Sequence, residues 1–108
     1  MAFGFPARFT ETRTFKLPPD ELVSVVKSAL ENLGWAPYEL LPGNEFHKWL
    51  RTSPLTHGEE FRARILPEGA IQAESECVKF GFLPQIFDFG VNRANVRAFF
   101  AQIEQQVK

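Results

Sequence analysis

The stretch "EEFRARILPEGAIQAESECV", residues 59–78, decides the fold. Phe61, Ala63 and Ile65 alternate with Arg62 and Arg64, while Ile71, Ala73 and Cys77 share a phase opposed to Gln72, Glu74 and Glu76. Neighbouring strand side chains point to opposite faces, so a period of two with one apolar phase describes a half-buried strand. Between the two runs, "PEG" supplies a proline with fixed φ and a glycine free to take positive φ, as a tight turn requires. The result is a hairpin centred on Glu68, with Arg62 opposite Glu74. One face of it needs a cover and the other is wet, the pattern of an antiparallel sheet with helices on one side.

Upstream, "WAPYELL" and "EFHKWLRTS" flank "PGN" and read as two more strands around a turn. Pro37 has no N–H for a ladder, which sends the strand at 35–41 to an edge. Near the start, "RFTETRTFKL", residues 8–17, sets Thr10, Thr12, Thr14 and Lys16 against Phe9, Phe15 and Leu17. Glu11 and Arg13 fall on the apolar phase, where a rim ion pair protects an edge strand from adding to another sheet.

Two helices complete the pattern. Pro18 and Pro19 preset a first turn, and Asp20 and Glu21 place negative charge at the positive end of the helix dipole. Leu22, Val25, Val26, Ala29, Leu30 and Leu33 then form one apolar stripe, closed by Gly34. The last helix carries Val96, Phe99, Phe100, Ile103 and Val107 on its stripe, with Asn92 expected as N-cap and Val91 and Val96 as a hydrophobic staple. Four sequential strands form a meander, and a crossover through the first helix sets the first strand beside the fifth. The expected fold is α+β, β-α-β-β-β-β-α, a five-stranded antiparallel-rich sheet in the order 1-5-4-3-2 with both helices on one face. The charged strand and the proline strand become the two edges. At 108 residues the chain fits one domain, 1–108.

This element order resembles one half of a TATA-box-binding-protein-like domain. The segment from His57 to Phe100 is also similar to uncharacterised bacterial domains ending in Asp-aromatic-Gly-x-Asn-x-x-Asn-x-x-x-Phe, through Asp88, Phe89, Gly90, Asn92, Asn95 and Phe99. Those domains often carry Trp and Lys where this chain has Phe89 and Val91. The resemblance implies a fold and supplies no activity.

Function is narrowed mainly by exclusion. A net charge of −1 lacks the basic footprint of a protein that lives on phosphates, which argues against nucleic acid as partner. Cys77 is the single cysteine, so no intramolecular disulfide forms and a reducing cytoplasm is the expected location. No apolar run approaches the length of a membrane helix, so no membrane insertion is expected. The triplet Asp88-Phe89-Gly90 matches the magnesium-holding triplet of protein kinases, but the glycine-rich loop, strand lysine and catalytic loop of a kinase are missing. A turn into the last helix explains it. Cys77 and His47 fall on opposite sheet faces, and two histidines with one cysteine give no metal spacing. No catalytic residue, metal ligand or cofactor is therefore assigned.

Binding is the remaining class. Trp49, Arg51, Arg62 and Arg64 lie on the open-face phase and would meet a protein partner or a second copy of the chain. Phe82 and Phe87 belong to a Phe-rich connection, residues 80–89, in a chain with 12 phenylalanines; exposed, they would form an apolar contact patch. The alternative is a small-ligand or anion site at Asn92 and Arg93, where the last helix begins and Arg93 and Arg97 stand one turn apart.

Overall fold

The computed structural model describes residues 8–50, 58–77 and 90–107. The hairpin stands where the alternation places it, as β4 (Glu59–Leu66) and β5 (Ala70–Cys77). Its register pairs Arg62 with Glu74, Ala63 with Ala73 and Ile65 with Ile71. At the turn, Gly69 takes φ +89, and a Cβ there would lie 2.9 Å from the Leu17 carbonyl oxygen. That close approach lets the Gly69 carbonyl accept the Phe15 and Lys16 N–H groups at 2.9 and 3.1 Å.

Those bonds tie the hairpin tip to the end of β1 (Arg8–Thr14), which runs antiparallel to β5. β1 stops three residues short of the expected Leu17, because Lys16 turns to φ 57 and leaves the ladder. On the other side β4 pairs with β3 (Glu45–Leu50), and β3 with β2 (Glu39–Leu41). The sheet order is β1-β5-β4-β3-β2, antiparallel throughout. β2 is shorter than the expected 35–41: Trp35 is drawn into the core, its ring 5.0 Å from Phe61, and the strand starts only after Pro37. The expected continuation of β3 past Leu50 falls outside the described residues.

Helix α1 (Pro19–Asn32) begins behind Pro18 and ends at Leu33, whose N–H reaches the Ala29 carbonyl at 3.0 Å before Gly34 turns at φ +75. Helix α2 (Val91–Gln106) is capped by Gly90 at φ 80, not by Asn92. Asn92 sits inside the helix with its side chain turned down onto the sheet, so neither the expected cap nor its staple forms.

Both helices cover the same sheet face. Leu22, Val26 and Leu30 from α1 and Val96, Phe99 and Ile103 from α2 join Phe46, Phe61, Ala63, Ile65, Ile71 and Ala73 in one buried core. A chain of rings runs through it: Trp35 to Phe61 and Phe61 to Phe99 at 5.0 Å, then Phe99 to Phe100 at 5.4 Å. The tilted geometry favours contact of ring edge with ring face, about 0.5–1.5 kcal/mol per pair beyond area burial.

Candidate functional site

The uncovered sheet face displays the polar phase of every strand. Arg62 lies at its centre, 2.8 Å from Glu60, 3.1 Å from Glu76 and 3.3 Å from Glu74. Burial works against its charge, but the bond to Glu76 and the carboxylates of Glu74 and Glu60 outweigh it and raise its pKa. Arg62 is therefore a strut within the face. Arg64, more exposed, stands 3.9 Å from Glu45, and Arg8 stands 3.7 Å from Glu74.

His47 bonds Glu45 through Nε2 at 2.7 Å and has Glu60 at 4.0 Å from Nδ1. A carboxylate only accepts, so Nε2 carries the proton. This bond is the main cause holding the Glu45 carboxyl below its ordinary range, helped by Arg64 and Arg62. Among the described residues of this face, Glu39, Glu45, Glu60, Glu74 and Glu76 outnumber Arg8, Arg62 and Arg64, an excess of acid.

Trp49 is 64% exposed, the most open large hydrophobic side chain among the described residues. Its position depends on Gly58, where a Cβ would meet the Trp49 Nε1 at 2.7 Å. Beside the indole lies an open groove of about 650 Å³ lined by Pro37, Tyr38, Glu39, His47, Lys48, Trp49 and Glu60. The groove exists because β2 pairs only with Glu45–His47, so the chain diverges from β3 just where Lys48 and Trp49 follow. Lys48 spans the divergence, its Nζ donating to the Pro37 carbonyl at 2.7 Å. Burial and then the Glu31 charge push the Tyr38 phenol upward, keeping it an O–H donor. Leu40 and Leu41 add exposed apolar surface on β2, at 44% and 37%.

At the start of α2 the arrangement is different. Asn92 is wholly buried and its Oδ1 accepts from Ser75 Oγ at 2.7 Å, while its Nδ2 donates to Cys77 Sγ at 3.4 Å. One turn on, Asn95 Nδ2 donates to Ser75 Oγ at 3.1 Å and to Glu59 Oε1 at 3.0 Å. Among the described residues every buried side-chain nitrogen and oxygen has a partner. The asparagines of the Asn-x-x-Asn pattern thus hold α2 to β4 and β5, and Phe99 fills the core. Arg93 is exposed, 6.0 Å above the Phe9 ring, whereas Arg97 bonds Glu11 at 3.0 Å, so the second arginine's charge is answered within the fold.

Of the sequence-derived binding residues, Trp49, Arg62 and Arg64 share the open face; Asn92 and Arg93 lie at the start of α2. Arg51, Phe82 and Phe87, with the rest of the 80–89 connection, lie outside the described residues. Residue-by-residue reading misses Tyr38, Glu39 and Lys48 as groove walls, because they meet Trp49 only through the β2–β3 pairing. It also misses Glu59, Ser75 and Asn95, although each is a polar residue on an apolar phase, a signal visible in the alternation itself. Among the described residues no group of three or more His, Cys, Asp or Glu is placed to hold a metal, and no helix is long and apolar enough to cross a membrane. No family model matches the chain and no curated protein matches it, so a functional reading starts from this geometry.

Proposed function

We propose that this chain is a noncatalytic, cytoplasmic protein-interaction module that meets its partner with the Trp49 end of the open sheet face. The observation that carries this reading is Trp49 itself: an indole 64% exposed at the rim of a groove, where most of the other described aromatic rings are buried. Indoles are favoured anchors at protein interfaces because a large apolar area is lost from water at small entropic cost. Leu41, which shares the open face with Glu45, extends the apolar contact along β2.

The anion site at the start of α2 is less favoured. Asn92 spends its side chain on Ser75 and Cys77, and Glu11 already supplies an anion to Arg97. Trp49→Ala and Arg93→Ala separate the readings. Binding partners recovered with the parent chain are lost with Trp49→Ala and retained with Arg93→Ala if the sheet face is the contact. Equal recovery with Trp49→Ala and the parent chain overturns the proposal.

A further inference from the structure

We infer that the groove beside Trp49 receives an arginine side chain from a basic, extended segment of the partner protein, an inference resting on the protein-binding reading above. The first support is charge. Among the described residues the open face carries more carboxylates than guanidiniums, and Glu39 and Glu60 line the groove itself. Lys48, the groove's own ammonium, is drawn off to the Pro37 carbonyl. Glu60 is shared with Arg62 at 2.8 Å, but Glu39 has no ion-pair partner among the described residues. A cation entering here meets an unanswered carboxylate.

The second support is shape. Trp49 and Tyr38 both line the groove, and the indole is the best of the aromatic faces for a cation. A guanidinium is planar, stacks on such a face and directs a fork of N–H donors at a carboxylate beside it; an ammonium is a point charge that does neither as well. This fold already uses the contact internally, since the Arg13 guanidinium lies 4.6 Å above the Phe100 ring beside Glu11 and Glu104. The groove repeats the aromatic and carboxylate parts of that arrangement on the surface, without the arginine. The groove is open to solvent beside Trp49, so a side chain can enter it from a segment lying outside the fold.

The test is an NMR titration of the full ¹⁵N-labelled chain with an acetylated, amidated Gly-Ser peptide carrying a pair of arginines. Counterparts carry citrulline, which keeps the planar shape without the charge, or glutamate. The arginine peptide is expected to shift the Trp49 indole N–H and the Glu39 and Glu60 amides, with an affinity that falls as salt rises. Citrulline and glutamate peptides bind about tenfold more weakly or not at all, and Glu39→Gln weakens the arginine peptide about fivefold. Equal binding of the arginine and citrulline peptides overturns the inference, as does a titration that leaves the Trp49 resonance unmoved. Shifts of the same resonances with protein concentration, no peptide present, overturn it in favour of a second copy of the chain. If no peptide binds yet partner recovery still depends on Trp49, the arginine inference falls and the protein-binding reading stands; if recovery ignores Trp49→Ala, both fall.

Discussion

The side-chain amide of Asn95 reaches from α2 to the wholly buried carboxylate of Glu59, 3.0 Å away. A carboxyl group buried at the foot of a helix is tolerated only when donors replace the water it has lost. Asn95 is one such donor, and it holds Ser75 with the same nitrogen. Removing it leaves buried acceptors short of a partner, so Asn95→Ala is expected to lower unfolding free energy by about 2–3 kcal/mol. Urea denaturation measures this. Pairing Asn95→Leu with Glu59→Leu is expected to cost less than the two single changes added together, since the polar need disappears from both sides at once.

Phe61 lies at the centre of the ring chain, touching Trp35 on one side and Phe99 on the other, and is fully buried. Phe61→Ala is expected to cost about 3–5 kcal/mol, because neither neighbour can collapse into the space left behind. Trp49→Ala is the contrasting case: its exposure predicts a stability change within about 0.5 kcal/mol. Thermal unfolding of both variants checks the pair. A large loss in Trp49→Ala would mean that the indole serves the fold.

At the β1 edge, Glu11 lies between Arg13 at 2.7 Å and Arg97 at 3.0 Å. Burial raises the Glu11 pKa, but the bonds and charges of the two arginines outweigh burial and hold it below the ordinary range. A carboxyl depressed in the folded state stabilises above its unfolded pKa, and that contribution is lost as pH falls through the folded value. Melting temperature is therefore expected to drop on acidification below the ordinary carboxylate range. Glu11→Gln should be less stable near neutral pH and show a shallower acid drop; an unchanged profile would remove Glu11 from the linkage.

Gly69 is the point where the β4–β5 turn meets the chain leaving β1. A side chain there would press on the Leu17 carbonyl and would have to adopt φ +89. Gly69→Ala is expected to cost more than about 1 kcal/mol. Hydrogen exchange should quicken first at the Phe15 and Lys16 amides, which the Gly69 carbonyl accepts. Uniform quickening across the sheet would place the damage elsewhere.

How much of this is legible in the residues depends on whether a pattern is local. The β4–β5 hairpin is readable because both strands keep one apolar phase, broken only by Glu59 and Ser75. The sheet order follows from the meander and the crossover through the first helix, and Pro37 and the Glu11–Arg13 pair independently mark its two edges. Residues 35–38 are misread as strand because Trp35 answers to Phe61, a neighbour distant in sequence. Asn92 is misread as a cap because asparagine favours that position, while the partners that claim its amide sit on β5. The groove is the least legible feature, since its walls come from residues 37–39, 47–49 and Glu60, gathered only by strand pairing.

The two tryptophans occupy opposite surroundings, Trp35 in the core against Phe61 and Trp49 open to water above Gly58. The molecule thus carries its own two-channel optical gauge. Emission quenched by a dissolved collider reports Trp49 and whatever occupies the surface beside it. The shielded component reports Trp35 and the integrity of the interior, so occupancy and unfolding are separable in one unlabelled sample.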